Sequence, residues 1–99
     1  MIDTIIAAAA ASLRGQYARD VVAGRQRWSG SDLRGKARKY GYSYYIQRRK
    51  AHAALRAAGG VIIAIDHGLL VSAVQIDADT YATSRGVAVR CGTRYRVQA

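Results

Sequence analysis

The sequence has 99 residues, and 51% of them carry hydrophobic side chains, which is enough for one modest core and excludes a second domain. Sixteen Lys and Arg against six acidic residues give a formal net charge of +10, so the expected partner is a polyanion, either a nucleic acid or an acidic protein face. The single cysteine, Cys91, excludes an intramolecular disulfide and favours a reducing, cytoplasmic setting. The uncharged run at residues 4 to 13 is too short to cross a bilayer, so no membrane partner is expected.

The positive charge is concentrated in one third of the chain. Ten bases and one acid, Asp32, lie between Arg25 and Arg56 and give this window a charge of +9, whereas the remaining 67 residues carry +1. Charge gathered in one segment marks a contact surface, which charge spread evenly along a chain does not. The window from 25 to 56 is therefore the predicted electrostatic footprint.

The N-terminal element, residues 1 to 24, is predicted as one helix over 3 to 23. Its apolar residues recur every three or four positions. Asp3 is placed to cap its start and Gly24 to end it. The apolar line is narrow and rich in alanine, which fits either a core helix or one arm of a dimer contact.

Residues 29 to 58 are predicted as a pair of helices joined by a tight turn. A short helix is expected over 32 to 40, and Gly41 suits the turn because glycine adopts the left-handed conformation that ends a helix. The next helix is expected over 44 to 58 and stops at the glycine pair that begins at Gly59.

The helix over 44 to 58 is predicted to have two different faces. At 100° per residue, small and apolar side chains gather on one side and point to the core; they are Tyr44, Ala51, Ala54, Leu55 and Ala58. A second stripe follows at spacings of four, three and four, with Arg48 beside it; it consists of Tyr45, Arg49, His52 and Arg56. This second face suits contact with phosphates.

Residues 61 to 97 are predicted as an antiparallel β region. Two apolar, β-branched runs, 61 to 65 and 69 to 76, flank the turn Asp66-His67-Gly68 and indicate a hairpin. Two further strands are expected around the turns at Ser84-Arg85-Gly86 and Gly92. In the last segment Arg90, Arg94 and Arg96 share one parity, which predicts a basic sheet face.

A homodimer is expected from the first two strands. Both runs are apolar on both strand faces, and a chain of this length has little with which to cover the second face. A second copy would supply the cover.

Residues 33 to 52 resemble a helix-turn-helix, and three helices followed by a β-hairpin are similar to the winged helix-turn-helix family of DNA-binding proteins. Ala37 and Gly41, at a separation of four, carry the resemblance together with Tyr40 in the apolar place before the glycine. It implies an α+β fold: three N-terminal helices, including the helix-turn-helix, followed by a β-hairpin or a small antiparallel sheet of three to four strands.

The resemblance also implies how duplex DNA is held. The helix over 44 to 58 would enter the major groove, with Arg48 and Arg49 contacting guanines or phosphates and Gln47 reading adenine. Phosphates would be held by Arg34, Lys36, Arg38 and Lys39. The full predicted nucleic-acid-binding set is Arg25, Arg27, Arg34, Lys36, Arg38, Lys39, Tyr42, Tyr45, Gln47, Arg48, Arg49, His52 and Arg56. A small DNA-binding regulator or accessory factor of phage or mobile-element type is the expected function.

Two other functions remain open. The basic face fits an acidic or nucleic-acid-binding site on a host protein, as an inhibitor or adaptor such as a phage-encoded anti-defence protein would use it. Alternatively, tyrosines can stack on unpaired bases and bind RNA or single strands; the candidates are Tyr40, Tyr42, Tyr44 and Tyr45.

Catalysis finds little support in the sequence. Asp66 and His67 are adjacent, so their side chains diverge, and Cys91 could join them only through an accident of folding. His52, His67 and Cys91 lack the short spacing of metal ligands. No enzymatic activity, metal, cofactor or small-molecule substrate is expected.

Overall fold

The computed structural model describes residues 2–27, 38–39, 43–66 and 68–98. Within these residues the helices are α1 (Ile2–Ala11), α2 (Gln16–Val22) and α3 (Tyr44–Ala57). The strands are β1 (Gln26–Arg27), β2 (Val61–Ile65), β3 (Leu69–Asp77), β4 (Thr80–Thr83), β5 (Gly86–Cys91) and β6 (Arg94–Val97). The predicted α+β class is confirmed.

The predicted single helix over 3 to 23 is wrong, because the chain breaks between α1 and α2. Ser12 turns its hydroxyl back to the carbonyl of Ala9 at 2.9 Å, a local bond that competes with helix propagation. Gly15 then adopts an extended conformation, with φ −77° and ψ 135°, before α2 begins. The break changes the direction of the chain and lets Leu13 and Tyr17 both reach the core.

The predicted helix over 44 to 58 is confirmed as α3. It buries Tyr44, Ala51 and Leu55, as its apolar periodicity predicts. Gly59 follows with a φ of +95°, a left-handed conformation that glycine adopts without a side-chain clash. The predicted end of this helix at Gly59 is therefore confirmed.

The predicted helix over 32 to 40 lies outside the described residues, except that Arg38 and Lys39 are helical. The residues that carry the helix-turn-helix resemblance, Ala37, Tyr40 and Gly41, lie outside them too.

Five strands form a closed barrel. Each strand from β2 to β6 pairs antiparallel with the next in sequence. The ring closes where β6 returns to β2 through a parallel pair, Ile65 with Tyr95. β1 lies outside the ring and pairs with Leu69 and Leu70 at the start of β3.

The predicted β-hairpin or small antiparallel sheet of three to four strands is wrong, and with it the winged helix-turn-helix architecture. The hairpin of β2 and β3 exists, but it forms part of a ring of five strands rather than a wing after the helices. Alternation and turn residues identify strands locally. The closing pair joins residues about 30 positions apart, and no local pattern encodes such a contact.

The two faces of β2 and β3 supply two cores. One face fills the barrel with Ile63, Ile65, Val71 and Ala73, joined by Ala88. The other packs against the helices in a cluster of buried side chains that includes Tyr17, Val21, Ala51, Leu55 and Leu70.

Helices and sheet are also joined by a buried hydrogen bond, which Ser72 Oγ donates to the carbonyl of Val22 at 2.7 Å. The second apolar face is thus covered by the chain's own helices. The reason given for a homodimer no longer applies, and a dimer stays a prediction.

Candidate nucleic-acid interface

One flank of α3 carries a group of side chains that we call the basic stripe: Tyr45, Arg48, Arg49, His52 and Arg56. Tyr45, Arg49 and Arg56 are exposed, whereas Arg48 and His52 are half-buried beside the core-facing residues. From Tyr45 to Arg56 the stripe runs about 16 Å along the axis, at 1.5 Å per residue. The structure therefore brings together five of the residues predicted to bind nucleic acid.

The tyrosine pair at the start of α3 divides between core and surface. Tyr44 is buried and meets the ring of Tyr17 edge to face, with centroids 5.8 Å apart. Tyr45 is 55% exposed and lies over Tyr44, with centroids 4.2 Å apart. A hydrogen bond with Tyr45, followed by desolvation, raises the pKa of Tyr44 to about 12. Tyr45 therefore presents a supported aromatic face to solvent.

His52 lies between two positive charges. Burial, followed by the charges of Arg48 and Arg56, lowers the pKa of His52 below its ordinary value of 6.5. The imidazole is therefore neutral at pH 7. Protonation adds a third charge to Arg48 and Arg56, a change that an anion bound at the stripe would favour.

Gln47, which was expected to read adenine, has a structural role in the folded chain. Its Oε1 accepts hydrogen bonds from the backbone N–H groups of Tyr17, at 3.1 Å, and Ala18, at 3.4 Å. Its Nε2 donates to Ser43 Oγ at 3.1 Å. The side chain thus caps the first turn of α2 from the neighbouring helix, and these hydrogen bonds occupy the amide that was expected to read adenine.

Gly15 makes the approach of Gln47 possible. A Cβ at position 15 would lie 2.4 Å from Gln47 Oε1, which is closer than two non-bonded atoms can come. Sequence reasoning missed this pair because α2 itself was not predicted as a separate helix. The glycine in the middle of the expected helix was the available signal.

The other predicted residues lie on other elements or outside the described part of the chain. Arg25 forms an ion pair with the buried Asp20 at 3.6 Å. Arg27 contributes its backbone to β1, and both Arg38 and Lys39 are exposed. Arg34, Lys36 and Tyr42 lie outside the described residues. The compact group on α3 is thus the part of the window from 25 to 56 that the described residues show together.

Two arginines of the stripe have no carboxylate partner among the residues that the structure describes. The ion pairs among the described residues include Arg25 with Asp20 and Arg90 with Asp79. Within residues 2–27, 38–39, 43–66 and 68–98, neither Arg49 nor Arg56 has a carboxylate within ion-pair distance. Within the described residues, their charges are therefore not neutralised by an ion pair.

The opposite flank of α3 has another character. A cavity of about 680 Å³ lies between α3 and the connection from α1 to α2, and its lining includes Leu13, Ala18, Ile46, Lys50 and Ala53. Gln47 lies on this side as well. The basic stripe and the contact with α2 thus occupy opposite flanks of the helix.

The predicted basic face of the last strands needs correction. Arg90 is the cross-strand partner of Tyr95, so it shares a sheet face with Tyr95 rather than with Arg94 and Arg96. Its guanidinium donates to Tyr95 Oη at 3.0 Å and lies 3.8 Å from Asp79. The hydrogen bond from Arg90 is the main cause that lowers the pKa of Tyr95. Arg90 is thus tied to the end of the barrel, while Arg94 and Arg96 are exposed.

Two of the three residues weighed for catalysis lie within the described part of the chain. Asp66 and Cys91 are both exposed, and His67 lies outside the described residues. In the part of the chain that the structure describes, no three His, Cys, Asp or Glu side chains come together as metal ligands would. Among the same residues, no helix has the length and apolar character needed to cross a membrane.

No protein-family model, curated protein or solved structure gives a significant match to this chain.

Proposed function

We propose that this protein binds nucleic acid, with duplex DNA as its preferred form, through the basic stripe of α3. The observation that carries the proposal is the exposure of Arg49 and Arg56 beside Tyr45 on one flank of a helix whose other residues fix it to the core. An α-helix fits the major groove of B-DNA, which is about 12 Å wide. Arginines along its flank would contact phosphates on the groove wall.

Among the described residues, the exposure of the tyrosine pair on α3 favours duplex over single-stranded nucleic acid. Proteins that bind single strands without sequence preference stack successive bases on several aromatic side chains. Of the pair at the start of α3, Tyr44 is buried and Tyr45 alone is available for stacking. The setting we propose is the cytoplasm, where the exposed thiol of Cys91 stays reduced.

The test is binding of labelled duplex DNA, single-stranded DNA and RNA across a salt series. We expect the affinity for duplex to fall steeply between ~50 and ~200 mM salt, because phosphate contacts release counterions. The double variant Arg49→Ala/Arg56→Ala should weaken binding roughly tenfold to a hundredfold, or about 1.4 to 2.8 kcal/mol. It should also reduce the slope of log K against log salt by about two.

The control is Arg14→Ala/Arg85→Ala, which removes the same charge from exposed residues outside the stripe. Equal losses in both variants would reject α3 as the contact surface. If single strands compete better than duplex, the result favours binding of RNA or single strands through stacking on tyrosines. Capture of an acidic protein by a chain that binds no nucleic acid at low salt would favour the inhibitor or adaptor.

A further inference from the structure

The outer face of β6 carries two exposed arginines. Arg94 and Arg96 are two residues apart on one strand, so their side chains leave the same face at a separation of roughly 6.5 Å along the strand. Tyr95, between them, points the other way and packs in the barrel. The two guanidinium groups can therefore reach neighbouring phosphates together.

These arginines border a concavity at one end of the barrel. It has a volume of about 410 Å³ and is lined by Asp66, Arg94, Tyr95 and Arg96. The N–H of Asp66 donates to the carbonyl of Tyr95 at 3.0 Å, which holds this corner of the ring together. Two positive charges against one carboxylate leave the concavity favourable to an anion.

The order of the strands places β6 beside α3. Around the ring β3 is followed by β2 and then by β6. α2 is bonded to β3 through Ser72, and α3 packs in one cluster with Ile62 and Ala64 on the outer face of β2. The next strand beyond the one that α3 covers is thus β6.

The flanks of α3 fix which side chains face that strand. Gln47 points to α2, which covers β3. Tyr45, Arg49 and Arg56 lie about 160° to 200° away from Gln47 at 100° per residue, on the flank turned away from α2. The basic stripe therefore faces the side of β6.

We propose that Arg94 and Arg96 form a second phosphate-binding surface that continues the basic stripe, so that one nucleic-acid backbone is held in the corner between α3 and β6. This inference rests on the proposed function. Asp66 lowers the affinity of this surface for phosphate, because its carboxylate repels phosphate. The barrel thus takes part in binding and does more than support the helix.

The first test compares three variants in the duplex-binding assay. Arg94→Ala/Arg96→Ala should lower the affinity roughly tenfold and reduce the salt slope by about two, and Arg14→Ala/Arg85→Ala should do neither. Asp66→Asn should raise the affinity about two- to fivefold, since asparagine tolerates the φ of 46° at this position and removes the repulsion. An unchanged affinity in the first and third variants overturns the proposal.

The second test uses the native thiol as a reporter. Cys91 is exposed and is the cross-strand partner of Arg94. A saturating 20-base-pair duplex should slow alkylation of Cys91 at least threefold. In the variant Cys91→Ser/Arg85→Cys the thiol lies at the other end of β5, and its alkylation rate should not change.

The two tests separate this inference from the function on which it rests. If binding requires Arg49 and Arg56 but is indifferent to Arg94 and Arg96, and Cys91 stays equally reactive, the second surface is wrong and the function stands. If the wild-type chain binds no duplex at low salt, the proposed function itself fails.

Discussion

At the scale of single residues, Gln47 joins two helices that the sequence separates by about 30 positions. A helix leaves its first N–H groups without intrahelical partners. α2 has no side-chain cap of its own, because its N-cap is Gly15. An amide from α3 supplies the missing acceptor, so the orientation of α3 depends on a cap and a glycine in another element.

The contact between Gly15 and Gln47 predicts that the two substitutions are not additive in a double-mutant cycle. Gln47→Ala should lower the free energy of unfolding by about 1 to 2 kcal/mol, because two N–H groups lose their acceptor. Gly15→Ala should cost a similar amount, because its Cβ displaces the amide.

In the Gln47→Ala background the cost of Gly15→Ala should fall to within about 0.5 kcal/mol, since the clash is gone. Chemical denaturation measures all four proteins, with Gln47→Glu as the control that keeps an acceptor. Additive losses would contradict the contact.

At the scale of elements, α3 separates its packing face from its charged face. The burial of Tyr44, Ala51 and Leu55 could be predicted, because apolar residues recur in this segment with the helical period of 3.6. The stripe was predictable for the same reason. The role of Gln47 was not, because it depends on where α2 begins, and the break before α2 arises from local bonds at Ser12 that apolar periodicity does not report.

The stripe also predicts how duplex binding depends on pH. The folded-state pKa of His52 is lowered, so in the free protein its neutral form is favoured, and stability falls as the pH drops below 6.5. Phosphates bound at Arg48 and Arg56 would offset their repulsion and raise the pKa of His52, so duplex affinity should rise as the pH falls from 7.5 to about 5.5.

Fluorescence anisotropy at constant ionic strength measures this dependence. His52→Gln is the matched control, because glutamine is polar, of similar size and does not titrate. If duplex affinity depends on pH to the same extent in the wild type and in His52→Gln, His52 lies away from the bound anion.

At the scale of the whole molecule, the closed barrel sets which residues tolerate change. Ala88 is fully buried inside the ring, between its cross-strand partners Tyr81 and Val97. Ala82 lies one strand away on the outer face and is half-buried. If the sheet were open, the face that carries Ala88 would not be enclosed, and both alanines would accept a larger side chain.

Ala88→Leu should therefore cost about 1 to 3 kcal/mol through overpacking, whereas Ala82→Leu should stay within about 0.5 kcal/mol of the wild type. Thermal or urea denaturation provides the measurement, and circular dichroism checks that both variants fold. Equal tolerance at the two positions would mean that the ring is open.

The strands themselves, their turns and the apolar character of β2 and β3 could be predicted from the sequence. The burial of both faces was predictable too, but what covers them was not. The sequence pointed to a second copy, whereas helices cover one face and the barrel encloses the other. Pairings between distant segments depend on the three-dimensional path of the chain, which period and turn chemistry do not specify.

The ring is joined unevenly. Antiparallel neighbours share four or five residue pairs, while β2 and β6 share one pair among the described residues, Ile65 with Tyr95. Local fluctuations open a protein where the fewest bonds hold it, so amide hydrogen exchange should be faster at Asp66 than within the β2–β3 hairpin. Opening at this point would separate β6 from β2 and from α3, which packs on β2. A ligand bound to both α3 and β6 would cross-link them and make this opening less frequent.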